Sequence, residues 1–311
     1  MKQATLPRPL RGIIPPMVTP LSDRDTLDLA GLERLVEHIL AGGVHGLFIL
    51  GTTGEGPSLS YRMRCELIER VCDQVGDRVP VLVGVTDTAF VESVNLAGIA
   101  ADEGAAAVVL STPYYFPAGQ IELLEYIEHI AAEMPLPMFL YNMPSHTKLN
   151  FDLETLNQAL QLPNVVGLKD SSGDVDYFRE AADVIRGFPD ATLLMGPEHL
   201  LLEALASGGH GGVHGGANLQ PRLFVDLYDA AVAGDADRVA QLQDRVLRQG
   251  AALYGIGSHS SSFIKGVKCA LSCMGICDDG MAEPFQRFRR PEREQVRQAM
   301  RELGIDRVPA R

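Results

Sequence analysis

Short apolar runs and longer amphipathic stretches alternate along most of this chain. The runs read "GIIPPMV", "GLFIL", "VPVLVGV", "AAVVLS", "PMFLYNM", "VVGLKDS", "ATLLMG" and "GGVHGG", most of them rich in Val, Ile, Leu or Phe and ending in glycine or polar residues. Between them lie helical patterns. One places Leu29, Leu32, Leu35, Val36, Ile39 and Leu40 on a single face through spacings of three and four. Another runs through Ile121, Leu124, Ile127 and Ile130. Strands apolar on both faces and separated by helices imply a parallel sheet. Eight such units predict a (β/α)8 barrel rather than a doubly wound sheet. Beyond Gly234 the alternation stops, and "DADRVAQLQDRVLRQGAAL", "SSFIKGVKCALSCMGI" and "RPEREQVRQAMRELGI" all read as helices. The expected organisation is a barrel over residues 1–234 that carries the active site and a helical extension over 235–311.

The composition fits a large core, with 311 residues, 46% of them hydrophobic and 22% charged. A formal net charge of −13 argues against nucleic acid as the main partner. No apolar run approaches the ~20 residues that span a bilayer, so no membrane role is expected. The opening "MKQATLPRPLRGIIPP" lacks a long apolar segment, and a cytoplasmic location is expected. Cys65 and Cys72 share one helical pattern, and Cys269, Cys273 and Cys277 fall four apart along another. Three thiols on one straight helix diverge from a tetrahedral point, so they read as small apolar residues in a reduced compartment and no metal is expected.

In a barrel of this kind chemistry sits at the C-terminal ends of the strands. Lys169 stands there in "VVGLKDSSGD", at the end of the sixth strand. A lysine at that point either snorkels to water or is a desolvated amine prepared as an imine-forming nucleophile. After the second strand comes "GTTGEGPSLS", a turn whose N–H groups and threonine hydroxyls suit a carboxylate. The turn also reads as a plain turn with a helix cap, in which Glu55 would cap or brace the loop rather than react. After the fifth strand, Tyr141 in "YNMPSHTK" offers a phenol to move protons if a hydroxyl relays them. After the fourth, "STPYYFP" places Tyr114, Tyr115 and Phe116 together in a loop, as at an interface. Amine, phenol and anion turn facing one pocket suit imine chemistry on a 2-oxo acid.

With this constellation the chain resembles the dihydrodipicolinate synthase / N-acetylneuraminate lyase family of pyruvate-dependent class I aldolases over essentially its whole length. The resemblance implies that Lys169 is the Schiff-base lysine and Tyr141 the catalytic tyrosine, and that Thr52 and Thr53 in "GTTGE" hold the substrate carboxylate. It implies that Tyr115 in "TPYY" reaches across a subunit contact to complete a relay with Thr52 and Tyr141. It also implies a homotetramer built as a dimer of dimers, with no metal or organic cofactor and a covalent imine on the lysine.

The departures bear on substrate. Where the lysine-pathway synthases carry arginine and then threonine and glycine after the tyrosine, this chain reads "PSHTKLN", with His146 at the arginine's place and Lys148 at the glycine's. Imidazole lacks the charged fork of a guanidinium. After the seventh strand, "MGPEHL" puts Glu198 and His199 where sialic acid lyases carry adjacent acidic residues, and Val213 and His214 follow the eighth. His146, Glu198, His199, Val213 and His214 are thus expected as a substrate-binding rim for a hydroxylated tail. The expected activity is reversible aldol cleavage of a 2-keto-3-deoxy sugar acid to pyruvate and an aldehyde. The alternative is 4-hydroxy-tetrahydrodipicolinate synthase, condensing pyruvate with aspartate semialdehyde. A reading of another class is a non-catalytic sensor of a keto acid, which would not need the relay.

Overall fold

The structure, a computed structural model, describes residues 5–305; the outermost ends of the two expected segments, 1–4 and 306–311, lie outside the described residues. Its strands are β1 (Gly12–Ile13), β2 (Leu21–Asp23), β3 (Thr26–Leu27), β4 (Leu47–Ile49), β5 (Val81–Gly84), β6 (Ala107–Ser111), β7 (Met138–Asn142), β8 (Val165–Asp170), β9 (Thr192–Met195) and β10 (Gly211–Gly212). β2 and β3 form a separate antiparallel pair, and the others form one parallel sheet in the order β1-β10-β9-β8-β7-β6-β5-β4. The sheet closes on itself. His45 N–H donates to Ile13 O at 2.9 Å, Phe48 N–H to Pro15 O at 3.0 Å and Met17 N–H to Phe48 O at 2.8 Å. The (β/α)8 barrel with its C-terminal helices is therefore present, and each of the eight apolar runs supplies one barrel strand.

Pleating divides the core in two. Ile14, Phe48, Leu82, Val109, Phe139, Val166, Leu194 and Val213 fill the interior of the barrel. Their sequence neighbours Leu47, Ile49, Val83, Val108, Leu140, Val165 and Leu193 point outward and pack under the helices. The helix Leu29–Ala41 buries Leu32, Leu35, Val36 and Ile39 of the expected face, with Leu40 partly buried and Leu29, at its first residue, 45% exposed. Asp28 caps it by accepting from Gly31 N–H. The helix Gln120–Glu133 forms, but its buried face is Leu123, Ile127, Ile130 and Ala131, and Ile121 is 77% exposed. The reason is geometric. Nine residues at about 100° each turn roughly half a revolution, so a strict spacing of three carries Ile121 to the side opposite Ile130.

Beyond the barrel helix Pro221–Ala233 come Ala236–Leu253, Ser262–Met274 and Arg290–Leu303. The last two pack on each other, and Ala236–Leu253 packs against Pro221–Ala233. All five cysteines are free. Among the described residues no helix is long and apolar enough to cross a membrane.

Candidate active site

β7 and β8 pair so that Tyr141 lies beside Lys169. Phe139 and Tyr141 face the barrel interior, while Met138 and Leu140 face the helices. On β8 strict alternation from the inward Val166 would turn Lys169 away from the centre. It does not, because the register slips by one residue: Met138 pairs with Val165 but Phe139 with Gly167. The slip sends Leu168 outward and brings Lys169 into the layer of Tyr141 and Leu194. Glycine is required at 167, since a Cβ there would lie 2.2 Å from the Thr192 carbonyl oxygen.

The Lys169 amine is buried and stands 3.5 Å from the centroid of the Tyr141 ring. It donates to Ser171 Oγ at 3.1 Å. Burial pushes it below the usual lysine range, against the opposing pull of Tyr141 and Asp170. Burial is the largest influence on the Tyr141 phenol and would raise it, but it is outweighed by the Lys169 charge and the hydrogen bonding taken together. That hydrogen bonding comes from Lys169, Thr52 and Ser171, and the phenol sits below its usual value. Tyr141 Oη and Thr52 Oγ1 are 3.1 Å apart. Asp170, adjacent in sequence, is held away from this chemistry by Asn142 Nδ2 at 2.8 Å and by the Ser172 hydroxyl at 2.9 Å.

The turn after β4 begins and ends on left-handed residues, Leu50 at φ 58° and Glu55 at φ 57°. Glu55 N–H donates to Thr52 O at 3.0 Å, and Thr19 Oγ1 donates to Gly54 O at 2.7 Å. Thr53 is buried. Glu55 braces the turn. One of its oxygens accepts from Lys268 Nζ at 2.6 Å and the other from Ala282 N–H at 2.8 Å, with both charged side chains almost fully buried.

A cavity of about 380 Å³ opens over these strand ends, walled by Thr52, Tyr141 and His146 from the barrel and by Ser260, Ile264 and Phe285 from the extension. Lys169 meets that wall through the Tyr141 ring. His146 sits on the short helix Pro144–Thr147, 2.9 Å from Ser145 Oγ through Nδ1. Burial, then the charges of Lys148 and Lys169, hold it below the usual imidazole range and so neutral at pH 7. Lys148 takes the left-handed conformation (φ 63°), and its amine donates to Ser145 O at 2.7 Å.

The rest of the expected rim lies elsewhere. Glu198 accepts from Tyr254 Oη at 2.7 Å and Gly216 N–H at 2.9 Å, and burial raises its carboxyl to about 7. His199 is exposed. Val213 belongs to the barrel interior. His214 is fully buried against Phe224, with Nδ1 3.0 Å from Gly196 O and Nε2 without a partner, and burial pushes it down to about 4. None of these four lines the cavity. Tyr115 is 76% exposed, its ring edge-on to Phe116, and it does not line the cavity either. Ser171 and the three extension residues were not anticipated. Ser171 had a signal, two residues beyond Lys169 and so on the same face of an extended segment.

The family model described as the dihydrodipicolinate synthetase family matches residues 9–303. The chain belongs to this family. It is therefore an imine-forming carbon–carbon lyase of the class I aldolase type, acting on a 2-oxo acid. It is 33% identical over 300 residues to the 4-hydroxy-tetrahydrodipicolinate synthase of Stutzerimonas stutzeri, covering 95% of this chain and 99% of the relative. Its fold superposes on the dihydrodipicolinate synthase of Bacteroides thetaiotaomicron with a TM-score of 0.92 at 51% identity, covering 94% and 99% of the two chains. It likewise matches Escherichia coli K12 YagE, a family member solved in complex with pyruvate, at a TM-score of 0.89 and 28% identity over 95% and 99%. Among the described residues no group of three or more His, Cys, Asp or Glu side chains could hold a metal ion.

Proposed function

We propose that this member joins pyruvate, held as an imine on Lys169, to aspartate semialdehyde, as a 4-hydroxy-tetrahydrodipicolinate synthase. The substrate reading rests on the 51% identity across 94% of the chain with the Bacteroides thetaiotaomicron synthase. The chemistry rests on a buried amine, lowered by desolvation, next to a phenol in contact with Thr52. Thr52 and Thr53 hold the pyruvate carboxylate at the anion turn. The neutral Lys169 amine attacks C2, Tyr141 protonates the carbonyl oxygen, and water leaves to give the iminium. Loss of a C3 proton to the Tyr141 oxygen yields the enamine, which attacks the aldehyde carbon while that proton passes on to the aldehyde oxygen. The semialdehyde's amino group then attacks the imine carbon, closing the ring and expelling the Lys169 amine. The partner subunit's Tyr115 completes the relay in a homotetramer, which accounts for an exposed tyrosine pair at a loop tip.

One observation favours a second reading, cleavage of a hydroxylated 2-keto-3-deoxy acid: among the described residues no arginine lines the cavity, and His146 stands where the synthases present one. Losing a charge-assisted bond to a substrate carboxylate costs ~1.5–3 kcal/mol, or roughly 10- to 150-fold in efficiency. Steady-state assays with pyruvate plus aspartate semialdehyde, and in parallel with a panel of 2-keto-3-deoxy acids, decide the matter. A kcat/KM with the semialdehyde in the general enzyme range of ~10⁴–10⁸ M⁻¹s⁻¹ upholds the synthase. Efficient release of pyruvate from a keto-deoxy acid with feeble condensation replaces it by the lyase. No turnover, with pyruvate still bound, leaves only the sensor.

A further inference from the structure

The Lys169 amine, which lies against the Tyr141 ring at 3.5 Å from its centroid, donates a hydrogen bond to Ser171 Oγ at 3.1 Å. The contact is built into the chain on both sides. Gly196 packs directly over Ser171, and a Cβ at that glycine would lie 2.0 Å from the hydroxyl. Gly196 is itself pinned, its N–H donating to Asp170 O at 2.7 Å and its carbonyl accepting from His214 Nδ1 at 3.0 Å. The Ser171 hydroxyl also contributes, after Lys169 and Thr52, to the hydrogen bonding around the Tyr141 phenol. The amine thus touches Ser171, the phenol touches Thr52 at 3.1 Å, and the amine lies 3.5 Å from the centroid of the phenol's ring, all within one subunit, while Tyr115 of the same chain points to solvent.

Resting on the reading that Lys169 forms the imine, we propose that Ser171 is a further catalytic residue, carrying the proton between the Lys169 nitrogen and the Tyr141 oxygen. When the neutral amine adds to C2, the N–C bond forms and the carbonyl electron pair moves to oxygen, which takes the proton of Tyr141. The added nitrogen is then cationic. Its surplus proton passes to Ser171 Oγ as the serine's own proton passes to the tyrosinate, restoring the phenol and leaving a neutral carbinolamine. Tyr141 gives up that proton a second time as the C–O bond breaks and water departs. The nitrogen lone pair becomes the C=N bond, and the tyrosinate is left beside the iminium. Imine hydrolysis runs the same transfers backwards.

The test is the rate of pyruvate imine formation as a function of pH, trapped with borohydride and read by mass spectrometry on wild type, Ser171→Ala and Ser171→Thr. Ser171 is only half-buried, so neither change empties the core. For Ser171→Ala the plateau rate should fall about 10²-fold, as for loss of a positioned proton carrier. An acceptor favours the ammonium form, so its loss should move the acid limb to lower pH. Ser171→Thr should return the rate to within about tenfold of wild type. A plateau and limb unchanged in Ser171→Ala would overturn the proposal. So would a slower rate with the limb moved toward ordinary lysine values, the signature of water admitted by loosening. Wild type that traps no pyruvate would instead remove the imine reading on which the proposal stands.

Discussion

The pair Glu55–Lys268 joins the anion turn to the helix Ser262–Met274 at 2.6 Å, with side-chain exposures of 3% and 0%. Lys268→Met removes the cation with little change of shape and strands a carboxylate whose remaining contact is the Ala282 N–H. Breaking one partner of a buried pair costs roughly 3–5 kcal/mol, mostly as the desolvation of the charge left behind. At roughly 2 °C per kcal/mol for a chain of this size, the melting temperature should drop by about 6–10 °C. The double variant Glu55→Gln/Lys268→Met should lose much less than the sum of the two single changes, because the second change removes the stranded charge. The consequence for the site is equally specific. The turn that presents Thr52 and Thr53 loses its brace, so KM for pyruvate should rise more than kcat falls. Calorimetry on the four proteins of the cycle, with pyruvate kinetics alongside, measures both. A Lys268→Met protein within about 1 kcal/mol of wild type, or strictly additive effects, would refute the assignment of the pair as the brace.

Tyr141→Phe should lower turnover about 10²–10³-fold while pyruvate binding persists, and Thr52→Val should add little further loss in the double variant; steady-state kinetics and ligand titration check this. Glu198, raised to about 7 by burial, favours its protonated form in the folded state. Its contribution to stability is full below the unfolded value of about 4.3 and is lost as pH rises through about 7, so Glu198→Gln should flatten denaturation midpoints across that window. Co-assembled Lys169→Ala and Tyr115→Phe subunits should regain turnover that neither has alone if the tyrosine serves its partner's site. No gain on mixing would confine Tyr115 to its own subunit.

The architecture was legible because strands buried on both faces leave an unmistakable run of apolar residues, and all eight runs became barrel strands. The helical phase at Ile121 was not, because three-residue spacing alone drifts around the helix and only Leu123 and Ala131 fix the buried side. At the site, proximity to a strand end brought Lys169, Tyr141 and Thr52 together. It could not tell which side of the strand the lysine takes, since that depends on a one-residue slip against β7. Of the expected rim, His146 lines the cavity among the described residues. Glu198, His199 and His214 do follow strand ends, yet Glu198 is claimed by Tyr254, 56 residues away in sequence, and His214 by the Gly196 carbonyl. Alternation explains His214 afterwards: Val213 occupies the barrel interior, so its neighbour must face the surrounding helices.

These contacts give the helices beyond residue 234 a part in the chemistry. They reach the strand ends at three separate places: Lys268 on the anion turn, Tyr254 on the loop after β9, and Gln249 Nε2 on Gly216 O after β10 at 3.1 Å. The same extension supplies Ile264 from its second helix, and Ser260 and Phe285 from its loops, to the cavity wall. Each contact fixes a loop that the barrel alone would leave with a buried polar group unpartnered, at about 1–3 kcal/mol apiece. The loops so held are those that present the threonines and the Gly196 support of Ser171, so the geometry around Lys169 depends on residues more than 70 positions further along the chain. A barrel cut after Gly234 should therefore lose imine formation even where its secondary structure survives. Circular dichroism paired with borohydride trapping separates those two outcomes. A truncated barrel that still traps pyruvate at the full-length rate would show that the strands alone set the amine.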